Sequence, residues 1–333
     1  MSNSASLAIL DVGHGNANVI RENGVTVVID TGLKGRLREF LMRKGIDEIE
    51  CVILSHSDAD HISGLAGLLA GDTKVKTVIL NADADKQTEA WRDLIFALDE
   101  AHDNGEIDFR VGLTDGPLEI PGFTSTTLEV AAPTRLLAAY GVGSKNLDDK
   151  TITSNSLSAV VRVLYDKAPV ALLTGDMDDV TLDEIGRKGT DIRARFLVFP
   201  HHGGLPGTSN PQVFARTLMN AVVPETVLFS LGRDKHSNPN EIIVREVISA
   251  VPGIHIGCTQ LSKLCAKTIP VVLRTFSADL FSAGEKENLC CAGTMEIPLQ
   301  QAEISDPTRS GYREFVLQHI PEALCRRRDR PVT

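Results

Sequence analysis

The chain has 333 residues, of which 42% are hydrophobic and 23% are charged. These proportions are those of a folded globular protein, and the length allows one large core or one core with an appendage. The formal net charge of −10 disfavours a nonspecific nucleic-acid-binding surface, because such surfaces are usually basic.

The sequence gives no sign of a membrane protein. No apolar run reaches the length of about 18 residues that a transmembrane helix needs, and the first residues lack the basic start and apolar stretch of a signal peptide. We therefore expect a cytoplasmic protein that does not associate with membranes. Six cysteines in a chain of this length do not predict a disulfide scaffold.

The first half of the chain alternates between strand and helix patterns. Strand-type runs are followed by helix-type periodicity, and Glu22-Asn23-Gly24 is typical of a hairpin turn. The strands are predicted over 6–12, 17–21, 25–30, 50–55, 75–80, near 107–112 and over 117–131, and the helices over 34–44, 61–70 and 84–102.

The second half continues the alternation after a polar loop over 141–155. Strands are predicted over 156–165, 170–174, 195–200 and 226–230, and helices over 178–188 and 210–220. This order is that of a layered α/β protein. We divide the chain into a domain over 1–250 and a C-terminal extension over 251–333, and leave open whether the extension packs on the domain.

One stretch, Cys51 to His61, carries the strongest chemical signal. An apolar strand pattern ends there in two histidines and two aspartates: His56, Asp58, Asp60 and His61. Imidazole nitrogen and carboxylate oxygen are ligands of divalent metals such as Zn, Mn and Fe. A hydrated turn capping the next helix is the alternative, but four such groups after one strand favour a metal site.

Three further strands also end in polar groups. Asp30 follows Val28-Ile29, Asp176 follows an apolar run and Gly175, and His201-His202 follows Phe199-Pro200. A strand-end turn, a helix cap and a surface histidine pair are the alternatives, respectively. Convergence of these strand ends would place all of these groups at one edge of the fold.

The stretch from His56 to Leu65, His-Ser-Asp-Ala-Asp-His-Ile-Ser-Gly-Leu, resembles the metal motif of the metallo-β-lactamase superfamily. Within it, the stretch is most similar to the hydrolase domain of ComEC-type DNA-uptake proteins and their soluble relatives. The segments 11–17 and 28–32 resemble the beginning of the superfamily domain. The resemblance implies an αββα sandwich with a metal pocket along one edge.

The resemblance also implies a set of ligands for two divalent ions. These are His56 and Asp58 for the first ion, Asp60, His61 and His201 for the second, and Asp176 between them. Asn155 is either a further ligand of the first ion or a turn residue that bonds its own backbone. The resemblance implies that Asp30 lies beneath the site and that His202 lines the pocket, and we expect His14 to be a loop residue that neighbours the ligands rather than a ligand itself. Asp58 stands where familiar members carry histidine, and the added oxygen makes Mn an alternative to Zn.

The implied reaction is hydrolysis by a metal-activated water, with Asp60 orienting the water and His236 acting as a proton donor or a leaving-group contact. The implied substrate is a phosphodiester of nucleic acid. A small ester, a lactone, a thioester and a cyclic nucleotide are alternatives, and a metal-stabilised interaction module is a non-enzymatic one. Arg233 and Lys235 either help to bind an anion or form a solvated turn. The sequence does not specify a protein partner or an oligomeric state.

Four cysteines lie beyond residue 250 in a spacing that no standard zinc ribbon has: Cys258, Cys265, Cys290 and Cys291. Reduced thiols can cluster to bind a structural Zn, which would be an additional ion. Ordinary burial of four apolar thiols is the alternative.

Overall fold

The computed structural model of the chain describes residues 5–33, 35–81, 88–207, 209–233, 235–272, 280–304 and 308–329. Among these residues, the strands form two sheets of seven strands each. The predicted sandwich of two sheets with outer helices is confirmed.

The first sheet contains most of the N-terminal strands, in the order β14-β1-β2-β3-β4-β5-β6. Strands β3 to β6 run parallel, so the carboxyl ends of these strands meet at one edge. The strands are β1 (Ser6–Ile9), β2 (Ala17–Glu22), β3 (Val25–Thr31), β4 (Glu48–Leu54), β5 (Lys74–Asn81), β6 (Asp108–Leu113) and β14 (Met295–Pro298).

The second sheet has the order β13-β12-β11-β10-β9-β8-β7. Strands β10 to β13 are parallel, and β7 to β10 are antiparallel. The strands are β7 (Gly116–Leu118), β8 (Thr126–Ala132), β9 (Val160–Tyr165), β10 (Ala168–Leu173), β11 (Phe196–Val198), β12 (Thr226–Phe229) and β13 (His255–Cys258). Because β13 and β14 are the outermost strands, the chain beyond residue 250 supplies an edge to both sheets.

The helices cover the outer faces of the sheets. They are α1 (Arg36–Arg43), α2 (Ala59–Leu69), α3 (Glu89–Asp103), α4 (Arg135–Tyr140), α5 (Asp179–Lys188), α6 (Pro211–Val222), α7 (Glu241–Ala250) and α8 (Thr308–His319). Short 3-10 helices occupy Asn155–Leu157, Pro200–Gly203 and Leu324–Asp329. Among the described residues, none of the helices combines the length and the apolar character needed to cross a membrane.

The alternation of side chains along β4 shows how the core is divided. Cys51 and Ile53 belong to the apolar cluster between the sheets, whereas Val52 and Leu54 belong to the cluster beneath α1, α2 and α3. Both faces of this strand are therefore buried, as expected for a central parallel strand. Burial on both faces holds the end of β4, and the loop that follows it, in a fixed position.

Several element boundaries differ from the sequence prediction. The predicted strand over 117–131 is interrupted between Leu118 and Thr126, where Pro121 and Gly122 break the ladder. The predicted strand over 156–165 begins only at Val160, after the 3-10 turn. The predicted helix over 84–102 is described from Glu89 onward, and 84–87 lie outside the described residues.

Glu22, at the end of β2, joins the two sheets. Its carboxylate accepts hydrogen bonds from the backbone nitrogens of Thr124, Ser125 and Thr126 and from the Thr124 hydroxyl, at 2.8–3.2 Å. Burial opposes ionisation of Glu22, but these hydrogen bonds outweigh it and lower its pKa below the ordinary 4.5. The ionised form is therefore stabilised by folding.

We expect Glu22→Ala to lower the free energy of unfolding by about 1–3 kcal/mol at pH 7, because buried donors lose their acceptor. Urea unfolding measures this change, with the exposed Glu119→Ala as a control that stays within about 0.5 kcal/mol of wild type.

Because folding lowers the pKa of Glu22, the contribution of this carboxylate to the free energy of unfolding is present above pH 4.5 and is lost as pH falls through the folded-state pKa. A difference from wild type that is the same at pH 3 and pH 7 would contradict this role.

Candidate metal centre

The polar groups that follow β4, β10 and β11 meet at one edge of the sandwich, and Asp30, near the end of β3, lies beside them. The loop after β4 carries His56 to His61, the turn after β10 carries Asp176, and the 3-10 helix after β11 carries His201 and His202. Residues Ser55 and Gly175 touch where the ends of the two sheets meet, since a Cβ built on Gly175 would lie 3.0 Å from that of Ser55. The site therefore spans both sheets, as the strand-end argument predicts.

The two oxygens of Asp176 face different sets of nitrogens. Its Oδ2 lies 3.8 Å from His56 Nε2 and 3.1 Å from His201 Nδ1. Its Oδ1 lies 3.4 Å from His61 Nε2 and 3.7 Å from His202 Nε2. The Asp176 side chain is only 5% exposed, so it stands between two groups of donors in a nearly dry environment.

Aspartates from the β4 loop complete each group of donors. Asp58 Oδ1 lies 3.8 Å from His56 Nε2. Asp60 Oδ2 lies 3.1 Å from His202 Nε2 and 3.9 Å from His61 Nε2. Atoms that bind one ion at about 2.1 Å lie about 3.0–3.5 Å apart, so these spacings suit ligands that close slightly around an ion.

Within the described part of the chain, three buried ligand atoms of this site have no hydrogen-bond partner: His56 Nε2, His61 Nε2 and Asp176 Oδ1. A buried polar atom without a partner costs about 1–3 kcal/mol, and these three atoms, from the loop after β4 and the turn after β10, lie close together. A divalent cation would satisfy all three, so the residues present fit a metal ion.

A second group of residues fixes the direction of each histidine ring. Asp30 Oδ2 lies 2.7 Å from His61 Nδ1, and its carboxylate also accepts from the backbone nitrogen and the hydroxyl of Ser55. The carbonyl oxygen of Ser230 lies 2.7 Å from His202 Nδ1. Both arrangements leave Nε2 to face the cluster, which is the usual way in which a protein orients a ligating histidine. Asp30 thus lies beneath the site.

The electrostatics of the cluster are those of a cation-binding site. Burial would raise the pKa of Asp176, but His202 and His61 hold it well below its ordinary value. Burial opposes protonation of His61, yet the Asp30 and Asp176 carboxylates raise its pKa well above 6.5. Burial and the neighbouring His202 lower the pKa of His14 to about 4. In the absence of an ion, Asp30 and Asp176 therefore favour the protonated, positively charged form of His61.

The geometry exchanges the predicted roles of the two adjacent histidines. We expected His201 beside Asp60 and His61, but His202 occupies that position and its side chain is 3% exposed. His201 is 38% exposed and lies on the other side of Asp176, where its Nδ1 is 3.4 Å from the Asn155 amide. Both residues adopt left-handed backbone angles, φ 54° and 57°, which sequence spacing does not reveal.

The pocket above the cluster has a volume of about 470 Å³. His14 and His236 stand on its wall with their ring centroids 4.9 Å apart. Arg233 matches neither of the two alternatives, anion binding or a solvated turn, because its buried guanidinium donates to the carbonyl oxygens of Leu261, Ala266 and Lys267. Its positive charge is buried in the C-terminal segment rather than directed into the pocket.

Three of the four cysteines considered for a zinc site, Cys258, Cys265 and Cys291, line a small void together with Cys325. The fourth, Cys290, donates to Asp11 Oδ2 at 3.5 Å. Among the described residues, groups of three or more metal-type donors within 4.8 Å of one another occur only at the histidine–aspartate cluster.

The sequence analysis missed two residues that support the site. Ser158 Oγ accepts a hydrogen bond from the Asp176 backbone nitrogen at 3.0 Å, and Ser230 orients His202. Ser230 directly follows β12, so the strand-end rule that found Asp176 also applies to it. Ser158 precedes a strand, and no pattern in the sequence marks it.

Comparison with known proteins agrees with the geometry. Residues 10–143 match the family model of the Metallo-beta-lactamase superfamily. The chain has the metallo-β-lactamase fold. No curated protein matches its sequence. The ComEC-type branch stays a prediction.

Several solved structures resemble the chain at low identity. The metallo-beta-lactamase fold protein YhfI from Bacillus subtilis is 12% identical with a TM-score of 0.48, and 76% of this chain and 96% of that chain are covered. Igni18, a metallo hydrolase from Ignicoccus hospitalis, is 16% identical with a TM-score of 0.46 over 76% and 94%. The short form of human tRNase Z is 15% identical with a TM-score of 0.41 over 69% and 94%. These values are too low to bear on activity.

We expect Asp30→Asn to weaken metal binding by about 10- to 100-fold, because the variant loses the carboxylate that orients His61 while every ligand remains. Isothermal titration of the metal-free protein with Zn²⁺ measures the change. The matched control is Asp47→Asn, at an exposed position before β4. An unchanged dissociation constant for Asp30→Asn would contradict the role assigned to Asp30.

Proposed function

We propose that the protein is a metal-dependent hydrolase that cleaves phosphodiester bonds on a centre of two divalent ions. The observation that supports this most directly is the position of Asp176, whose two oxygens face separate sets of donors. A carboxylate between two such sets is the arrangement of a bridged two-metal site. The match of residues 10–143 to a superfamily of metallo-hydrolases supports the same class.

We assign the donors to two sites. His56, Asp58, His201 and the Oδ2 side of Asp176 form one site. Asp60, His61, His202 and the Oδ1 side of Asp176 form the other. Mixed nitrogen and oxygen donors suit Zn and Mn.

Bound ions would supply Lewis acidity and a water of low pKa. The residues of the chain do the rest. Asp60, at the first turn of α2 and facing the pocket, orients the attacking water. His236 also lines the pocket, where it can give a proton to the leaving oxygen.

We propose nucleic acid as one substrate class, on the resemblance of the metal motif, and small phosphodiesters as the other. A specific observation favours the small substrate. Among the described residues, the pocket is lined by histidines, acids, amides, small residues and Leu205, and neither lysine nor arginine lines it. Binding that follows a polynucleotide backbone normally uses several such cations.

We expect Asp60→Ala and Asp176→Ala each to lower the turnover of a phosphodiester at least about 100-fold, because each loses a carboxylate that directly faces the reaction centre. The assay uses bis(p-nitrophenyl) phosphate with protein reconstituted separately with Zn²⁺ and Mn²⁺. Asp183→Ala, an exposed carboxylate paired with Lys150, is the control and should keep wild-type turnover. Wild-type turnover in the Asp176 variant would contradict the proposed centre.

We expect the affinity for single-stranded DNA to change little with salt, because neither lysine nor arginine lines the described pocket. We also expect a cyclic dinucleotide to bind more tightly than single-stranded DNA. Binding of both ligands to the Asp60→Ala variant between 50 and 300 mM NaCl would be measured by fluorescence anisotropy. A steep loss of DNA affinity with salt would reject the small-substrate class and favour a nuclease.

A further inference from the structure

The loop that carries His14 approaches the metal centre unusually closely. A Cβ on Gly15 would lie 2.2 Å from the carbonyl oxygen of Asp60, and a Cβ on Gly232 would lie 2.5 Å from the backbone nitrogen of His14. No side chain fits at either contact. Gly15 therefore allows the loop to pack directly against the segment that carries Asp60, and Gly232 allows it to pack against the segment after β12.

Hydrogen bonds hold the loop in this place. The backbone nitrogen of Asn16 donates to the carbonyl oxygen of Asp60 at 3.3 Å, and Ser230 Oγ donates to the carbonyl oxygen of Gly15 at 2.7 Å. Ser230 is also the residue whose own carbonyl oxygen orients His202. The positions of His14 and His202 are thus tied through one serine.

His14 directs a nitrogen at the same carboxylate as the predicted ligands. Its Nε2 lies 3.4 Å from Asp60 Oδ2, while His202 Nε2 lies 3.1 Å from that oxygen. Donor atoms of His14, Asp60 and His202 all lie within 4.8 Å of one another. These spacings are those of atoms around a common centre with bonds of about 2.1 Å.

The C-terminal segment anchors this loop through Asp11, a fully buried carboxylate. Asp11 accepts from the backbone nitrogen of Gly13 at 3.0 Å, immediately before His14. It also accepts from Gln260 Nε2 at 2.9 Å and from the backbone nitrogen of Gly284 at 3.0 Å. One carboxylate therefore connects the residues beyond 250 to the His14 loop.

We propose that His14 is an additional ligand of the ion held by Asp60, His61 and His202, and that Gln260 and Gly284 of the C-terminal segment position it through Asp11. The proposal rests on the metal centre of the proposed function. It adds a nitrogen donor to that ion, which makes the site the richer of the two in imidazole and favours Zn²⁺ or Co²⁺ over Mg²⁺ and Ca²⁺. It also gives the C-terminal segment a part in building the centre.

The experiment is a Co²⁺ titration of the metal-free protein, followed by calorimetry and by visible absorption, which reports the donors around the ion. We expect His14→Ala to weaken one of the two Co²⁺-binding events at least about tenfold and to alter its absorption spectrum. Loss of a residue that only supports a ligand already weakens metal binding by about tenfold or more. Asp11→Asn, a positioning variant, should shift the same binding event in the same direction. His236→Ala is the matched control, because that ring contacts His14 but is outside the group of described donor residues formed by His14, Asp60 and His202.

Each outcome bears on a different claim. A His14→Ala isotherm and spectrum equal to those of wild type would overturn the role of His14 and leave the proposed function intact. Equal weakening by His236→Ala would also overturn it, since the effect would belong to the pocket in general. Absence of Co²⁺ binding by wild type would overturn both proposals. His14→Gln, which keeps the size of the side chain, replaces His14→Ala if thermal unfolding shows that the alanine variant does not fold.

Discussion

The buried carboxylate of Asp176 is the constraint on which the rest of the site depends. It is placed by a sharp turn after β10, where Gly175 has φ 50° and a Cβ there would lie 2.3 Å from Ser158 Oγ. A carboxylate in this position costs free energy unless positive charge faces it. The histidines from both sheets meet that requirement, and a pair of divalent ions would meet it more completely.

Several residues that face the pocket have left-handed backbone angles. His201, His202 and His236 have φ between 53° and 57°, and Asp30 beneath them has φ 60°. Left-handed backbone at residues other than glycine costs of order 1–3 kcal/mol each and persists where the surrounding structure enforces it. Here the enforcing structure is the double-sided core around β4 and the packed ends of β10 and β11. The strain orients imidazole rings that a relaxed turn would point elsewhere.

Local sequence patterns identified a layered α/β protein and the strand ends, and the resemblance of the metal motif added the sandwich of two sheets. Apolar runs that end in histidine or aspartate marked His56 to His61, Asp176 and the histidine pair, and the structure brings them together. The choice between His201 and His202 was out of reach, because adjacent residues share every local pattern and differ only in backbone angle. The hydrogen-bond partners of Arg233 could not be predicted either, since these carbonyl groups lie about 30 residues further along the chain. The positions of the cysteines could not be predicted for a similar reason, because their spacing does not show which thiols face one another in the fold.

The most direct test of the account is a crystal structure of the protein soaked with Mn²⁺ or Zn²⁺, with diffraction data collected at the absorption edge of the metal. The account predicts two anomalous peaks about 3.5–4 Å apart, one on each side of the Asp176 carboxylate. Strong peaks that lie away from Asp176, or the absence of any peak between the histidines and aspartates of this cluster, would contradict it.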